Sequence, residues 1–239
     1  MSGHSKWSTI KRQKGVADAK RGQAFTKISN AITIAVRSGG GISDPNSNFK
    51  LRLAIEKARA ANMPKDNIDR AIKRAEGKDG GIVEEILYEG FGPGGTAFLI
   101  ETVTDNRQRT FSEVRNIVSK NGGNLGEPGS VSYLFDRKGE IVVQKGVLSF
   151  DEIFSLGLEL GVEDIEDDEQ VCFLYTSPTD LFDFKNKLEE KGLIIESAEI
   201  VYKPKSGVEL SGEDQEKVFA ISDHLEELDD VQKVHNNMV

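Results

Sequence analysis

The residues best suited to chemistry stand at the start of the chain. Gly3-His4-Ser5-Lys6-Trp7 is followed by Lys11-Arg12-Gln13-Lys14-Gly15, with Lys20 and Arg21 a few positions on. Lys6, Lys11, Arg12 and Lys14 can neutralise phosphates, an attraction that needs no particular base sequence. Trp7 and His4 offer flat rings that can stack on unpaired bases. The glycines allow the backbone to approach a groove closely. Trp7 can equally well pack the segment against Ile10 and the first helix, and both readings stand at this point.

Other patterns carry less chemistry. Gly90-Phe91-Gly92-Pro93-Gly94-Gly95 matches G-x-G-x-x-G. A dinucleotide site needs that loop to open a helix, whereas Thr96-Ala97-Phe98-Leu99-Ile100 is strand-like, so a hairpin turn is expected. His4, His224 and His235 fall in no metal-ligand spacing and pair with no recognisable nucleophile. Glu163-Asp164-Ile165-Glu166-Asp167-Asp168-Glu169 lacks the alternating ligands and glycine of a calcium loop and reads as a solvated turn. Cys172, the one cysteine, sits in the apolar run Val171–Leu174 and reads as a buried strand thiol. Thr104-Asp105-Asn106-Arg107-Gln108-Arg109-Thr110 reads first as a helix cap. Free amides at a helix start also suit phosphate, which makes Arg107 and Arg109 a secondary candidate site. No catalytic set emerges, and the reading is of a protein that is not an enzyme.

Charge sets the frame for these residues. Residues 1–78 carry 17 Lys/Arg against 6 Asp/Glu, a net of +11, and residues 79–239 carry 14 against 34, a net of −20. A phosphate polymer would be drawn to the head and repelled by the body. The basic start lacks the apolar region of a secretory signal, and no apolar run reaches membrane-spanning length, so no membrane partner is implied and a reducing cytoplasm is the expected setting.

Periodicity gives the elements. Phe25, Ile28, Ile32, Ala35 and Val36 mark one helix, and Leu51, Ala54, Ile55, Ala58 and Ala61 a second. Pro64 suits the first position of a third, with Ile68, Ala71, Ile72 and Ala75 as its apolar face. Lys65, Arg70, Lys73 and Arg74 lie on this third helix and join the candidate nucleic-acid contacts. Beyond the linker Lys78-Asp79-Gly80-Gly81, strands are predicted at Val83–Glu89, Thr96–Val103 and Ser130–Phe135. A helix between them turns Phe111, Val114 and Val118 inward. From Gly139 the order is β-α-β-β-α-β, the ferredoxin-like sequence of elements. A last helix, with Ser211 and Asp214 in capping-box spacing, and a strand near Val231–His235 are surplus to that unit. The expected class is α+β. A basic segment and three-helix domain span 1–78, a discontinuous acidic α/β domain spans 79–137 with 206–239, and an inserted ferredoxin-like domain spans 138–205.

Several long stretches resemble the YebC/PmpR family across essentially the whole chain. They are Gly3–Trp7, Ala61-Asn62-Met63-Pro64-Lys65-Asp66-Asn67-Ile68, Tyr88–Gly95, Thr104–Arg107, and Gly126 with Gly129-Ser130-Val131. The resemblance implies a helical domain followed by two α/β domains, and no cofactor. It implies either a DNA-binding transcriptional regulator or a ribosome-associated translation factor that places the basic N-terminal region on ribosomal RNA and helps difficult sequences such as proline runs. An acidic body would tolerate basic ribosomal proteins. The residues themselves leave DNA and RNA open, and they give no oligomeric state.

Overall fold

The computed structural model describes residues 21–77, 83–146 and 148–239. Residues Asp136–Lys203 form one compact unit, and the rest of the described chain, to Phe135 and again from Pro204 to Val239, forms a larger one. The larger unit begins with three helices: α1 (Arg21–Ser38), α2 (Phe49–Ala60) and α3 (Lys65–Glu76). Ile28, Ile32, Ala35 and Val36 recur at helical spacing on α1 and close on Leu51, Ile55 and Ala58 of α2 and Ile68 and Ala71 of α3.

Two turns fix this helical layer. Asn48 is buried ahead of α2; its Oδ1 accepts from the Leu51 amide (3.1 Å), while Nδ2 donates to the Ala35 and Ile42 carbonyls (2.8 and 2.9 Å). One side chain thus caps α2 and ties it to the end of α1. After α2, Asn62 takes a left-handed backbone (φ 56°) and the Met63 amide returns to the Ala58 carbonyl at 2.9 Å. Asparagine tolerates that conformation better than most residues. Met63 then plugs the core, and Pro64 precedes α3 as its N-cap (ψ 141°) instead of occupying the first helical position. The Pro64 carbonyl already accepts from the Asn67 and Ile68 amides, so the helix starts on it while its own ψ stays extended.

The chain next forms the hairpin β1 (Glu84–Phe91) and β2 (Ala97–Thr104), closed by a 3-10 turn at Pro93–Gly95. The glycine-rich loop therefore joins two strands and opens no α-helix. Helix α4 (Arg107–Lys120) and the short β3 (Asn124–Leu125) follow. The strand predicted from Ser130 begins only at Phe135, as β4 (Phe135–Gln144). Residues Ser132–Leu134 form a 3-10 turn instead, because the Ser132 amide is taken by the Glu89 carboxylate and not by a neighbouring strand.

Strand β4 leads into the smaller unit, which continues with α5 (Phe150–Leu160), β5 (Asp164–Asp167), β6 (Val171–Thr176), α6 (Leu181–Glu190) and β7 (Ile194–Pro204). Its sheet order is β5-β6-β4-β7, the ferredoxin-like arrangement. Helix α5 starts on a full capping box between Ser149 and Glu152. The acidic run expected as a turn is largely strand β5. Lys203 pairs with Asp164 and Glu166, Lys145 with Asp167, and Ile165 faces Gly157 of α5. Pairing of the charges and partial burial of the isoleucine make the extended form stable there.

The chain returns through α7 (Gly212–Glu226) and β8 (Val231–Asn236). Strand β8 pairs antiparallel with β2, giving the sheet order β3-β1-β2-β8. Tyr88, Phe98, Ile100 and Val234 share one face, on which Val114 and Val118 of α4 and Val218, Ile221 and Leu225 of α7 pack. Phe111 is not inward as predicted; it is exposed and leans on the Tyr88 ring at 6.0 Å. Ser211 makes no side-chain cap, so the capping box expected with Asp214 is not formed. Helix α1 packs against β2 and β8, and Gln23 Nε2 donates to the Glu227 carbonyl at 3.2 Å.

Candidate nucleic-acid interface

His4, Lys6, Trp7, Lys11, Arg12, Lys14 and Lys20 lie outside the described residues, and Arg21 opens α1. The structure does place the basic residues of α3. Lys65 and Lys73 are exposed on it, and Lys57 and Arg59 are exposed in the last turn of α2. Arg70 is exposed but folds back on its own helix, donating to the Asp66 carbonyl (3.2 Å) and to Asn67 Oδ1.

Arg74 has a different occupation. Its Nε and Nη2 donate to Thr33 Oγ1 (3.2 and 2.9 Å), and Nη2 also reaches Asn30 Oδ1 at 2.9 Å. Thr33, fully buried, in turn donates to the Ser29 carbonyl at 2.9 Å. Partial burial and the neighbouring Arg37 lower the Arg74 pKa from its usual value, and Asp105 opposes them. The guanidinium stays charged, and its fork is used to join α3 to α1.

The helix start at Thr104–Thr110 is a closed polar knot. Asn106 Oδ1 caps α4 by accepting from the Arg109 amide at 3.1 Å. Asp230 Oδ2 accepts from Thr110 Oγ1 (2.6 Å), Thr104 Oγ1 (3.1 Å) and Arg109 Nη2 (2.7 Å), and Arg109 also pairs with Asp105 at 3.0 Å. Donation to the Asp230 carboxylate raises the Arg109 pKa. The adjoining cleft, about 530 Å³, is lined by Arg74 and Arg109 but also by Asp105, Glu113, Glu227, Asp229 and Asp230. Five carboxylates against two engaged guanidiniums make it a poor place for a phosphate. Arg107 is exposed, and its carbonyl accepts from the Tyr88 hydroxyl at 3.3 Å.

Glu89 explains two of the glycine-rich stretches together. It is buried in the middle of the sheet, and its carboxylate collects three backbone amides: Gly129 on Oε1 (2.7 Å), and Val131 (2.7 Å) and Ser132 (2.8 Å) on Oε2. Burial alone would raise its pKa, but the donors outweigh burial and hold it below the usual carboxylate value. Its own carbonyl accepts from the Gly126 amide at 2.8 Å. Gly90 must lack a side chain, since a Cβ there would lie 2.9 Å from the Asn124 carbonyl oxygen.

Sequence reasoning missed Glu89, Asp230 and the buried His235, whose Nε2 lies 2.6 Å from Glu101 Oε1. A charged residue inside an otherwise strand-like run, as at Glu89 and Glu101, was the available signal. Among the described residues no group of His, Cys, Asp and Glu could hold a metal ion, and no helix is long and apolar enough to cross a membrane.

A basic three-helix layer on an α/β sheet, with a ferredoxin-like unit inserted between that sheet's strands, defines a three-part α+β architecture. A family profile described as the TACO1/YebC protein N-terminal domain matches residues 5–78, and one described as the TACO1/YebC second and third domain matches residues 83–238. The chain belongs to the TACO1/YebC family. It is 50% identical over 238 residues to a "Probable transcriptional regulatory protein" of Geobacter sulfurreducens, covering 99% of this chain and 95% of that one. A protein of the same description from Chlorobaculum tepidum is 51% identical over 240 residues, covering 100% and 95%. The crystal structure of a conserved hypothetical protein from Aquifex aeolicus superposes with a TM-score of 0.85 at 44% identity, covering 100% of this chain and 95% of that chain.

Proposed function

We propose that this chain is a non-enzymatic, nucleic-acid-binding regulator of gene expression, and that its relatives' description as transcriptional regulators applies to it. The observation that carries the reading is the charge split, +11 over residues 1–78 against −20 over the rest. The basic N-terminal segment supplies phosphate contacts, extended by Lys65 and Lys73 on α3, while the acidic units keep the polymer to one end. The test replaces Lys6, Lys11, Arg12 and Lys14 together by Gln. Loss of about four phosphate contacts should shrink the slope of log K against log salt by roughly 3 to 4. An unchanged slope would refute the assignment.

One observation favours RNA over a promoter duplex. A base-reading helix uses forked side chains in the major groove, and on α3 the Arg74 fork is engaged with Thr33 and Asn30. Lys65 and Lys73 are point charges that suit backbone contact. With Trp7 and His4 as stacking rings, this combination fits the unpaired bases of ribosomal RNA, the translation-factor reading. Sedimentation of lysate with and without nuclease separates the two: co-migration with ribosomal particles would replace the transcriptional reading by the RNA one, and its absence would leave the transcriptional reading standing.

A further inference from the structure

The two faces of the ferredoxin-like sheet are covered differently. One face holds Ile141, Val143, Cys172 and Leu174, paired in register across β4 and β6. Both helices of the unit lie there: Gly157 of α5 approaches Ile165, and Leu181 of α6 approaches Gly139. The opposite face presents Val142, Val171, Phe173, Tyr175 and Val201, a cluster whose described members are all strand residues. These residues are nonetheless sealed from solvent, at 6% exposure for Val201 and 1% or less for the other four. A sheet face whose helices are all on the other side does not bury itself, so it requires a cover.

The rim of that face is acidic. Glu140 stands opposite Tyr175 and Glu166 opposite Phe173, while Glu199 lies two positions before Val201 and so on the same side. The Tyr175 hydroxyl donates to Glu166 Oε2 at 2.9 Å. Two lysines also stand on this side: Lys138, two positions before Glu140 and paired with Glu163, and Lys203, 3.8 Å from the Tyr175 ring centre and paired with Glu166 at 2.8 Å. Over residues 136–203 the count is 17 Asp/Glu against 7 Lys/Arg, a net of −10.

Of the chain outside the described residues, 78–82 is five residues and Val147 is one, too short to span four strands; residues 1–20 can span about 60 Å when extended, several times the width of the sheet. That segment carries 5 Lys/Arg against Asp18, a net of +4, with Trp7 and Ile10 as apolar anchors. We propose that the basic N-terminal segment docks on the acid-rimmed apolar face formed by Val142, Val171, Phe173, Tyr175 and Val201, so that this face competes with nucleic acid for the same residues. The docking stands on burial and charge; only the competition rests on the proposed function.

Trp7 is the single tryptophan, so its fluorescence reports the segment directly. In the full chain at low salt, without nucleic acid, acrylamide should quench Trp7 weakly. Glu166→Lys with Glu199→Lys should raise quenching to that of free tryptophan. The control Asp183→Lys with Glu190→Lys, equal in charge but exposed on α6, should leave it unchanged. If about a tenth of the segments are free in the parent, releasing them should tighten nucleic-acid binding roughly tenfold beyond the control. Deletion of residues 2–16 should raise binding of an apolar fluorescent dye. Trp7 freely quenched in the parent, or shielded but indifferent to the face reversal, or a deletion that leaves dye binding unchanged, would overturn the docking. Changed quenching with unchanged affinity would leave docking standing and overturn the competition alone.

Discussion

Replacing Glu89 by Gln isolates what its charge contributes. The side chain keeps its shape and one acceptor oxygen, which can still serve the Val131 and Ser132 amides. Its new NH2 then faces the Gly129 amide, donor against donor. A hydrogen bond to a charged group contributes about 1.5–3 kcal/mol; losing one outright and weakening two should therefore cost about 2–4 kcal/mol. At 1.36 kcal/mol per decade, amide exchange at Gly129, Val131 and Ser132 should speed up roughly 30- to 1,000-fold at neutral pH. The pH dependence gives a second check. Glu89 has a folded pKa below the ordinary value, so its contribution is fully present above the unfolded value of about 4.3 and is lost as pH falls through the folded value. Glutamine has no such dependence. The stability gap between parent and variant, read from urea unfolding, should be widest at neutral pH and close in acid. A gap that stays constant from neutral pH into acid, or exchange that does not change, would show that the three amides do not depend on the carboxylate.

Asp230→Asn removes the anion shared by Arg109, Thr110 and Thr104, and should cost about 2–4 kcal/mol in urea unfolding of the larger unit. Lys65→Gln with Lys73→Gln should flatten the salt dependence of nucleic-acid binding by roughly 2 slope units, with the melting temperature unchanged. Arg74→Gln should instead lower stability by about 1–2 kcal/mol, because its bonds to Thr33 and Asn30 join α3 to α1.

The sequence is most legible where one local rule decides the outcome. The apolar spacing of Ile28, Ile32, Leu51 and Ile55 marks helices because burial follows the helical period directly. The β-α-β-β-α-β order of the inserted unit reads as clearly. Errors fall where a distant partner decides. Ser132 leaves the predicted strand for a carboxylate 43 residues away. Phe111 has the right spacing for the core, yet Val114 and Val118 fill the helix face against α7. The acidic run at Glu163–Glu169 reads as a turn until the lysines that pair with it, 138, 145 and 203, are known. For the candidate site, the type and spacing of Lys65, Arg70, Lys73 and Arg74 were visible, but not that Thr33 and Asn30 engage one of the four. The long stretches shared with the family are largely braces in the described chain: the Asn62 turn, the Glu89 hub and the Asn106 cap.

The most direct test of the central claim is the affinity of the full chain for a structured RNA and a DNA duplex of equal length, titrated with salt. Six phosphate contacts from the basic end would give log K falling linearly with log salt, with a slope of about −5 on duplex and about −4 on single-stranded segments. Absence of binding at low salt, or an affinity that does not change with salt on either polymer, would contradict the reading of the basic N-terminal region as a nucleic-acid contact.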